Sequence, residues 1–282
     1  MAQSRNTMVQ NKLAKFRQTV WAFYKKHGRH DLLWRTTRDP YKILVSEVML
    51  QQTQVKRVRA FYPEFIKQFP TVQVLAKAPL SDVLRSWQGL GYNRRAKLLH
   101  QAAKAVMTQC EGTFPKQAEA LEELPGVGSY TARAVAAFAF NQDVVLIETN
   151  IRTAALHTGM IYHTSSQKVS DAQIEKVLKK ILPKGRAREW YWALMDYGAH
   201  LKRSGVKLNA RSKHYTKQSA FRGSVREARG AILRELAKGA RLKPHLIGLL
   251  GEDRAEQLQT GLKALISESL IQKSGRVFTL PL

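Results

Sequence analysis

The sequence has little cysteine, few acidic residues and no long apolar run. Among its 282 residues Cys110 is the single cysteine, so the chain alone cannot supply an internal disulfide, a cysteine-rich zinc site or a four-thiolate iron–sulfur cluster. No apolar run approaches the roughly 20 residues that span a bilayer, and residues 1–8 lack the apolar core of a signal peptide. We therefore expect a soluble protein of the reducing cytoplasm.

The shortage of acidic residues leaves a strong positive charge. Lysine and arginine total 47 against 21 aspartates and glutamates, which gives a formal net charge of +26 and an isoelectric point near 10.4. Such an excess argues against most enzymes of small metabolites and favours a polyanionic partner, nucleic acid before membrane. Hydrophobic residues make up 44% of the chain, which is enough for a real core, so we expect a globular protein.

Helical periodicity dominates the first 200 residues. Apolar residues recur at spacings of three and four in residues 9–27, and residues 41–56 form a strongly apolar helix candidate. Because strand-like alternation is missing before about residue 270, the sequence predicts an all-α domain over residues 9–201. Three prolines are expected to break this domain into short helices: Pro63, Pro70 and Pro79.

The composition changes near residue 202. Between Lys202 and Lys243 the sequence has 13 lysines and arginines against two acidic residues, and residues 202–223 are interpreted as a basic segment. Residues 224–282 then show three helical stretches, the second with Pro244 in its first turn, and a strand–turn–strand pattern at the end. This order predicts a small winged-helix-like module, which either contacts DNA or serves as a stabilising or partner-binding appendage.

A proline–glycine turn lies between two helical stretches at residues 124–132. Gly126 and Gly128 permit positive φ angles and place no side chain over the main chain. The helix that follows would therefore present free N–H groups to an anion such as a DNA phosphate, a contact that reads no base sequence. The alternative interpretation is an ordinary turn between two helices.

Two glutamates follow apolar runs, a setting in which a carboxyl group is costly to bury. Glu47 is surrounded by apolar residues, and such a carboxyl can retain a proton and act as a general acid; alternatively it is exposed at a helix edge or bridged to an arginine. Glu148 follows Val145-Leu146-Ile147. Two such carboxyls are the usual pair for cleaving a glycosidic bond, although Glu148 alone is also typical of a helix N-terminus.

Two polar segments are candidates for DNA contacts. Residues 51–54 carry amide side chains after the apolar helix, and residues 89–95 combine glycines with two arginines. Amides and arginines suit base edges and phosphates. Without further context a solvated polar surface is the preferred interpretation of both segments.

Taken together, five stretches resemble, in order and spacing, the helix-hairpin-helix DNA glycosylases, and most of all the adenine glycosylases of the MutY type. The resemblance covers about residues 14–201, and several motifs in register are more specific than any one of them. The five stretches are 31–35 (DLLWR), 46–54 (SEVMLQQTQ), 89–92 (GLGY), 124–128 (LPGVG) and 196–199 (DYGA).

The resemblance implies a two-lobed helical fold and a set of catalytic roles. One lobe of six helices would span about 32–140, and the second would combine 9–31 with 141–201. Glu47 would protonate a flipped purine, and Glu148 stands where the family has an aspartate that stabilises the sugar cation. Tyr130 stands where lyase relatives carry a nucleophilic lysine, which implies a monofunctional glycosylase. Asn150 would orient the catalytic water or carboxylate.

The resemblance also implies binding residues. Trp34, Arg35, Leu50 and Trp192 would line the base pocket, and a monovalent cation often sits on the hairpin carbonyls, here those of Leu124 and Val127. The residues implied in DNA contact are Gln51, Gln52, Gln54, Tyr92, Arg94, Arg95, Gly126, Val127, Gly128, Thr131, Lys202 and Arg203.

The sequence departs from the family pattern at several points. The four cluster cysteines correspond to Lys202, Asn209, Ser212 and Gln218, which implies a member without an iron–sulfur cluster. The segment around Trp192 differs from the pattern that contacts adenine, and residues 221–282 do not match the Nudix-like domain that recognises 8-oxoguanine.

The expected function is excision of a mispaired base, adenine opposite guanine or 8-oxoguanine first, by a monomeric, nucleoid-associated enzyme that acts on double-stranded DNA without a cofactor. Two alternatives stay open. One is a glycosylase for thymine or uracil opposite guanine. The other is a DNA-structure-binding protein that keeps the fold without the chemistry.

Overall fold

Helices make up most of the chain in the computed structural model, which describes residues 2–159, 161, 168–206, 208 and 220–282. The α-helices within this part are α1 (Ala2–His27), α2 (Pro40–Leu50), α3 (Val55–Gln68), α4 (Val72–Lys77), α5 (Leu80–Ser86), α6 (Arg94–Gln109), α7 (Ala118–Glu122), α8 (Ser129–Phe140), α9 (Thr149–His157), α10 (Asp171–Ile181), α11 (Ala187–Arg203), α12 (Val225–Leu236), α13 (Lys243–Ile247) and α14 (Ala255–Ser267). The predicted helical class with a small terminal α/β module is confirmed.

The chain folds into two compact units, each assembled from three stretches. Unit 1 consists of Met1–Ile43, Lys116–Leu121 and Gly128–Lys217, and unit 2 consists of Leu44–Pro115, Glu122–Val127 and Gln218–Leu282. The predicted domain boundaries at 201 and 223 stay a prediction.

In unit 1, α11 packs against α9 and α1. Its aromatic residues Trp190 and Tyr191 are fully buried, and Phe16 of α1 meets the Trp190 ring edge-on at 6.5 Å. Arg17 of α1 also donates to the Ile181 carbonyl at the end of α10 over 3.0 Å. These contacts give α9, whose first residues include candidate catalytic groups, a buried support.

In unit 2, α6 packs against α4 and α5. Ala96, Leu99 and Ala103 of α6 are buried at helical spacing, and Phe65 of α3 meets the Trp87 ring edge-on at 5.6 Å. The prediction that Pro63 breaks a helix is wrong, because α3 runs through it. Proline removes one hydrogen bond from a helix, and the burial of flanking side chains, including Phe65, compensates for that loss.

The C-terminal stretch of unit 2 has the predicted three helices and a strand pair. Helices α12 and α14 pack together, and Pro244 lies in the first turn of α13 as predicted. Strands β2 (Gln272–Ser274) and β3 (Val277–Thr279) form the hairpin. A further strand, β1 (Arg241–Leu242), pairs with β3 and gives the sheet the order β1-β3-β2. Sequence patterning missed β1 because two residues are too few to alternate.

Within the described part of the chain, no helix combines the length and the apolar character needed to cross a membrane.

Candidate active site

Glu47 lies in the middle of α2 and is buried, with 6% of its surface exposed. Its neighbours Val45, Val48 and Met49 are buried as well. The structure therefore contradicts the alternative of a carboxylate exposed at a helix edge. A carboxyl group in such surroundings is costly to ionise unless it is paired or hydrogen-bonded.

Arg95 of α6 holds the C-terminal end of α2. Its guanidinium Nη1 donates to the carbonyls of Val48 at 2.6 Å, Met49 at 2.9 Å and Gln51 at 2.7 Å, and Nη2 donates to the Gly91 carbonyl at 3.0 Å. These carbonyls include ones that a helix end leaves without an intrahelical partner. Burial lowers the pKa of Arg95 to about 10. Arg95, predicted to contact DNA, thus lies in the interior and binds main-chain carbonyls.

The segment after α2 turns sharply, so the predicted helix over 41–56 is too long. Helix α2 ends at Leu50, and Gln52 has a φ of +54°, a left-handed conformation that ends a helix. Gln52 and Gln54 are exposed, whereas Leu50 and Gln51 are half-buried. The turn therefore presents two of the three predicted amide contacts to solvent.

The loop before α6 also carries left-handed residues. Gly89, Gly91 and Tyr92 have φ angles of +93°, +73° and +49°. Glycine adopts this conformation freely, whereas a tyrosine in it is strained. The Tyr92 ring is half-buried and lies 5.5 Å from the Arg95 guanidinium. Arg94, the other predicted contact here, is exposed.

The predicted hairpin contains a tight turn. The Val127 N–H donates to the Leu124 carbonyl over 3.0 Å, and Gly126 at the third position has a φ of +75°, a type II pattern. A Cβ on Gly126 would lie 2.5 Å from the Leu98 Cβ of α6, so packing as well as conformation requires glycine. A cavity of about 20 Å³ beside this turn has room for one water and none for a base.

Helix α8 starts directly after the turn. Its N-cap is Gly128, which offers no side-chain acceptor to the first N–H groups of the helix. Gly126, Gly128 and Ser129 are exposed, whereas the side chains of Val127 and Thr131 are buried. Thr131 was predicted to contact DNA, but it is only 3% exposed, so the exposed surface here is formed by Gly126, Gly128 and Ser129. Tyr130 is half-buried.

Glu148 is the N-cap of α9. Its Oε1 accepts from the N–H groups of Asn150 and Ile151, each at 2.8 Å, and its Oε2 accepts from Thr149 Oγ1 at 3.0 Å and from Asn150 Nδ2 at 3.3 Å. The alternative interpretation of Glu148 as an acid at a helix N-terminus is thus confirmed as a description of its position. Four donors orient this carboxylate, and Lys202 Nζ donates to Asn150 Oδ1 at 3.2 Å.

Gly198 explains why α9 can approach α11. A Cβ at this position would lie 2.0 Å from the Asn150 carbonyl oxygen, so any side chain would displace the first turn of α9. Gly198 belongs to the 196–199 motif, but the motif alone did not reveal this role. The glycine sets the position of Asn150 and, through the N-cap, that of Glu148.

Arg35 is held by a buried ion pair. Its Nη1 and Nη2 donate to the two carboxylate oxygens of Asp196 at 2.8 and 3.0 Å, and Arg29 Nε donates to the same carboxylate at 2.6 Å. Burial alone would raise the pKa of Asp196, but the hydrogen bond and charge of Arg35, with those of Arg29, lower it below its usual value. Asp196 belongs to the 196–199 motif, and the motif alone does not predict this ion pair.

The other residues predicted for the base pocket are placed as follows. Trp34 is buried beside Arg35 in a short 3-10 helix. Trp192 is half-buried, stacks on Phe138 at 5.9 Å and lies 5.6 Å from the Arg35 guanidinium. The structure thus brings Arg35 and Trp192 together in unit 1. Lys202 and Arg203 are exposed at the end of α11.

Glu47 belongs to unit 2 and Glu148 to unit 1. The predicted convergence of their carboxyl groups on one cavity stays a prediction.

The donor set does not fit a four-thiolate cluster. The sequence has one cysteine, and the described residues contain no group of three or more histidine, cysteine, aspartate or glutamate side chains that could hold a metal ion. Asn209, Ser212 and Gln218, the positions that replace the family's cysteines, lie outside the described residues.

Comparisons with known sequences point to one family. Residues 45–184 match the family model described as "HhH-GPD superfamily base excision DNA repair protein". The chain is 48% identical over 132 residues to the adenine DNA glycosylase of Mycobacterium tuberculosis strain H37Rv, covering 46% of this chain and 43% of that protein. It is 38% identical over 174 residues to that of Mycolicibacterium smegmatis, covering 61% and 59%. The chain thus spans only about half the length of these curated relatives.

Solved structures give the same result for the fold. A thermostable thymine-DNA glycosylase matches with a TM-score of 0.59 and 27% identity, over 68% of this chain and 88% of that one. An endonuclease III trapped on DNA matches with a TM-score of 0.54 and 19% identity, over 76% and 90%. The family match contains Glu47, the hairpin and Glu148, and it agrees with the helical fold. Residues 45–184 of the chain therefore belong to the HhH-GPD superfamily.

Proposed function

We propose that this protein is a monofunctional DNA glycosylase that hydrolyses the N-glycosidic bond of adenine in a mispair. The observation that carries this proposal is Glu47, a buried carboxyl inside the stretch 45–184 that matches the HhH-GPD base excision DNA repair model. Parts of the chain are also 38% and 48% identical to adenine DNA glycosylases of two organisms. A base inside the duplex stack is out of reach of any side chain, so the enzyme must flip the target nucleotide.

Glu47 acts as the general acid in this proposal. Protonation of a purine nitrogen lets the base leave as a neutral molecule. The sugar then develops positive charge, and the carboxylate of Glu148 stabilises that charge electrostatically. Four hydrogen bonds already orient Glu148, which reduces the reorganisation needed during the reaction. Asn150, held between Glu148 and Lys202, orients the attacking water.

Tyr130 makes the reaction monofunctional. A lyase needs an amine that attacks the sugar carbon and forms a Schiff base, and a phenol cannot form one. The product is therefore an abasic site in an intact strand.

Double-stranded DNA is the proposed substrate. In this proposal the exposed glycines of the hairpin and the N-terminus of α8 bind phosphate. Gln52 and Gln54, in the turn after α2, and Arg94, the first residue of α6, are exposed and provide further DNA contacts. Trp34, Arg35, Leu50 and Trp192 shape the base pocket, with Arg35 acting through its ion pair to Asp196. A monovalent cation on the Leu124 and Val127 carbonyls is part of this proposal.

A second candidate substrate is thymine opposite guanine. The solved structure that matches with a TM-score of 0.59 is a thymine-DNA glycosylase. In addition, the segment around Trp192 differs from the family pattern that contacts adenine. Glu47 favours adenine, because a purine gains more from protonation than thymine does.

We further propose that the protein works as a monomer at the nucleoid and without an iron–sulfur cluster. The single cysteine supports the second point. The purified protein should be colourless, and elemental analysis should find no stoichiometric iron; one cluster per chain would refute this.

Single-turnover incubation with a panel of labelled duplexes tests the activity. The panel contains adenine opposite guanine, cytosine and 8-oxoguanine, thymine and uracil opposite guanine, and hypoxanthine, followed by alkaline cleavage. We expect excision of adenine, with a rate at least about 100-fold lower in Glu47→Gln because the general acid is lost. Equal rates would remove Glu47 from the mechanism, and binding without any excision would favour the non-catalytic alternative.

Substitutions of Glu148 separate its charge from its capping role. Glutamine retains an oxygen that accepts from the Asn150 and Ile151 N–H groups but carries no charge, whereas aspartate retains the charge. We expect Glu148→Asp to keep excision activity and Glu148→Gln to abolish it, while thermal unfolding shows Glu148→Gln folded. Full activity of Glu148→Gln would show that the side chain serves only as a cap.

A further inference from the structure

Helix α12 of the C-terminal stretch reaches the loop at residues 89–95. Arg226, in the first turn of α12, donates through Nη1 to the Tyr92 hydroxyl at 2.5 Å. Its guanidinium also lies 5.6 Å from the centre of the Tyr92 ring. All of these residues belong to unit 2.

Tyr92 is in a conformation that needs such support. Its φ of +49° is left-handed, a region in which the Cβ of a non-glycine residue is crowded. Arg95 approaches the same ring to 5.5 Å, but Arg95 is occupied with the end of α2. Arg226 contacts Tyr92 from outside the loop and its helix.

The Arg226 contact is part of a wider attachment. Lys97 Nζ of α6 donates to the Glu268 carbonyl at 2.5 Å, and the Glu268 carboxylate accepts two bonds from Arg229 of α12 at 2.6 and 2.5 Å. This attachment places the first turn of α12 beside the loop. The contact to Tyr92 is therefore set by the position of the whole helix.

We propose that Arg226 is a positioning residue that holds Tyr92, and with it the 89–95 loop, in the conformation that binds DNA. The C-terminal stretch then contributes to DNA affinity at this loop by fixing its conformation. This inference rests on the proposed function, which assigns the loop to the DNA-binding surface.

A double-mutant cycle in the full-length protein tests the coupling. Arg226→Ala, Tyr92→Phe and the double variant are compared with wild type by fluorescence anisotropy, with an undamaged labelled duplex at one salt concentration. Arg234→Ala serves as the matched control, because it removes the same charge from an exposed position on the same helix. Circular dichroism melting curves show that each variant is folded.

We expect Arg226→Ala to weaken duplex binding roughly tenfold more than Arg234→Ala does, as for the loss of a hydrogen bond from a charged donor. In the Tyr92→Phe background this excess should disappear, because the two substitutions break the same bond. Equal losses of duplex affinity in Arg226→Ala and Arg234→Ala would overturn the proposal. It would also be overturned if Arg226→Ala still caused the larger loss in the Tyr92→Phe background.

If Arg226→Ala does not fold, Tyr92→Phe decides alone, since it removes a single oxygen: unchanged affinity overturns the proposal and a roughly tenfold loss supports it. The readout is binding of undamaged DNA, so it is separate from catalysis. A wild-type protein that binds duplex but excises no base would refute the glycosylase and leave the coupling intact.

Discussion

Asp196 holds two arginines in the interior of unit 1. Its carboxylate is almost fully buried and meets Arg35, which is also buried, and Arg29, which is partly exposed. Removal of one partner from such a group leaves the opposite charge buried without compensation. The ion pair therefore matters for stability, and through Arg35 it reaches the proposed base pocket.

We predict that Asp196→Asn lowers the free energy of unfolding by about 3 kcal/mol at neutral pH. The pKa of Asp196 is lowered in the folded protein, so its stabilising contribution is complete above the usual value of 3.8 and is lost as pH falls through the lower, folded pKa. Urea unfolding of both proteins from pH 7 down to pH 3 should show their difference shrinking below about pH 4.

The control for this prediction is Asp82→Asn. Asp82 pairs with Arg85 on the surface, where both side chains are about half exposed, and such pairs contribute less than about 1 kcal/mol. A loss of stability in Asp196→Asn as small as in Asp82→Asn would contradict the importance of the buried pair.

At single positions the sequence predicted what depends on neighbouring residues and missed what depends on distant ones. Glu47 was predicted from its apolar neighbours, and these are local, so its burial followed. The capping alternative for Glu148 was also local and is what the structure shows. The burial of Arg95 was not predictable, because it depends on carbonyls at the end of α2 and directly after it, which lie more than 40 residues away in the chain.

At the scale of elements, the crossing of α9 and α11 determines where the first turn of α9 lies. The two helices approach at Gly198, where the Asn150 carbonyl occupies the space of a side chain. Any atom added at 198 must separate the helices or distort the turn that Glu148 caps.

We predict that Gly198→Ala destabilises the protein by about 2 kcal/mol or more, because a buried backbone clash cannot relax without moving a helix. Single-turnover excision should slow as well, since Asn150 and Glu148 move with the turn. Chemical unfolding and the duplex assay measure the two effects.

Gly230→Ala is the matched control. Gly230 lies inside α12, and a Cβ there meets no atom within 4 Å. Alanine in a helix interior is favoured over glycine, so this variant should be more stable by roughly 0.5–1 kcal/mol. The same substitution thus has opposite signs at the two sites; equal signs would refute the close approach at 198.

Helices with a clear apolar face were predictable because their signal lies within one or two turns, as in α12 and α14. Strand β1 was missed because it exists through pairing with β3 across more than 30 residues. The prediction that Pro63 breaks a helix failed for a related reason. The hydrogen bond that proline removes is a local loss, whereas the packing that compensates for it comes from the rest of unit 2.

At the scale of the whole molecule, the charge of +26 is the dominant property. Duplex DNA binds with the release of counterions, and affinity then falls with salt in proportion to the number of phosphates contacted. With about six contacts, we predict a loss of roughly 1,000-fold in affinity between 50 and 200 mM salt.

Anisotropy titrations at several salt concentrations measure this slope. Glu47→Gln should show the same slope as wild type, because Glu47 is buried and has no role in phosphate binding. A slope near zero would show that the basic excess does not serve DNA binding.

The three-stretch construction of each unit has a consequence for biosynthesis. Unit 1 needs residues from both Met1–Ile43 and Gly128–Lys217, and unit 2 closes only with Gln218–Leu282. A ribosome synthesises these stretches in order, so neither unit can complete its core early in translation. The apolar residues of α2 stay exposed in the nascent chain until the later residues that pack against them have been synthesised. Expression of either half as a contiguous fragment should yield aggregating chains, and a chaperone that shields early helices should raise the yield of the intact protein.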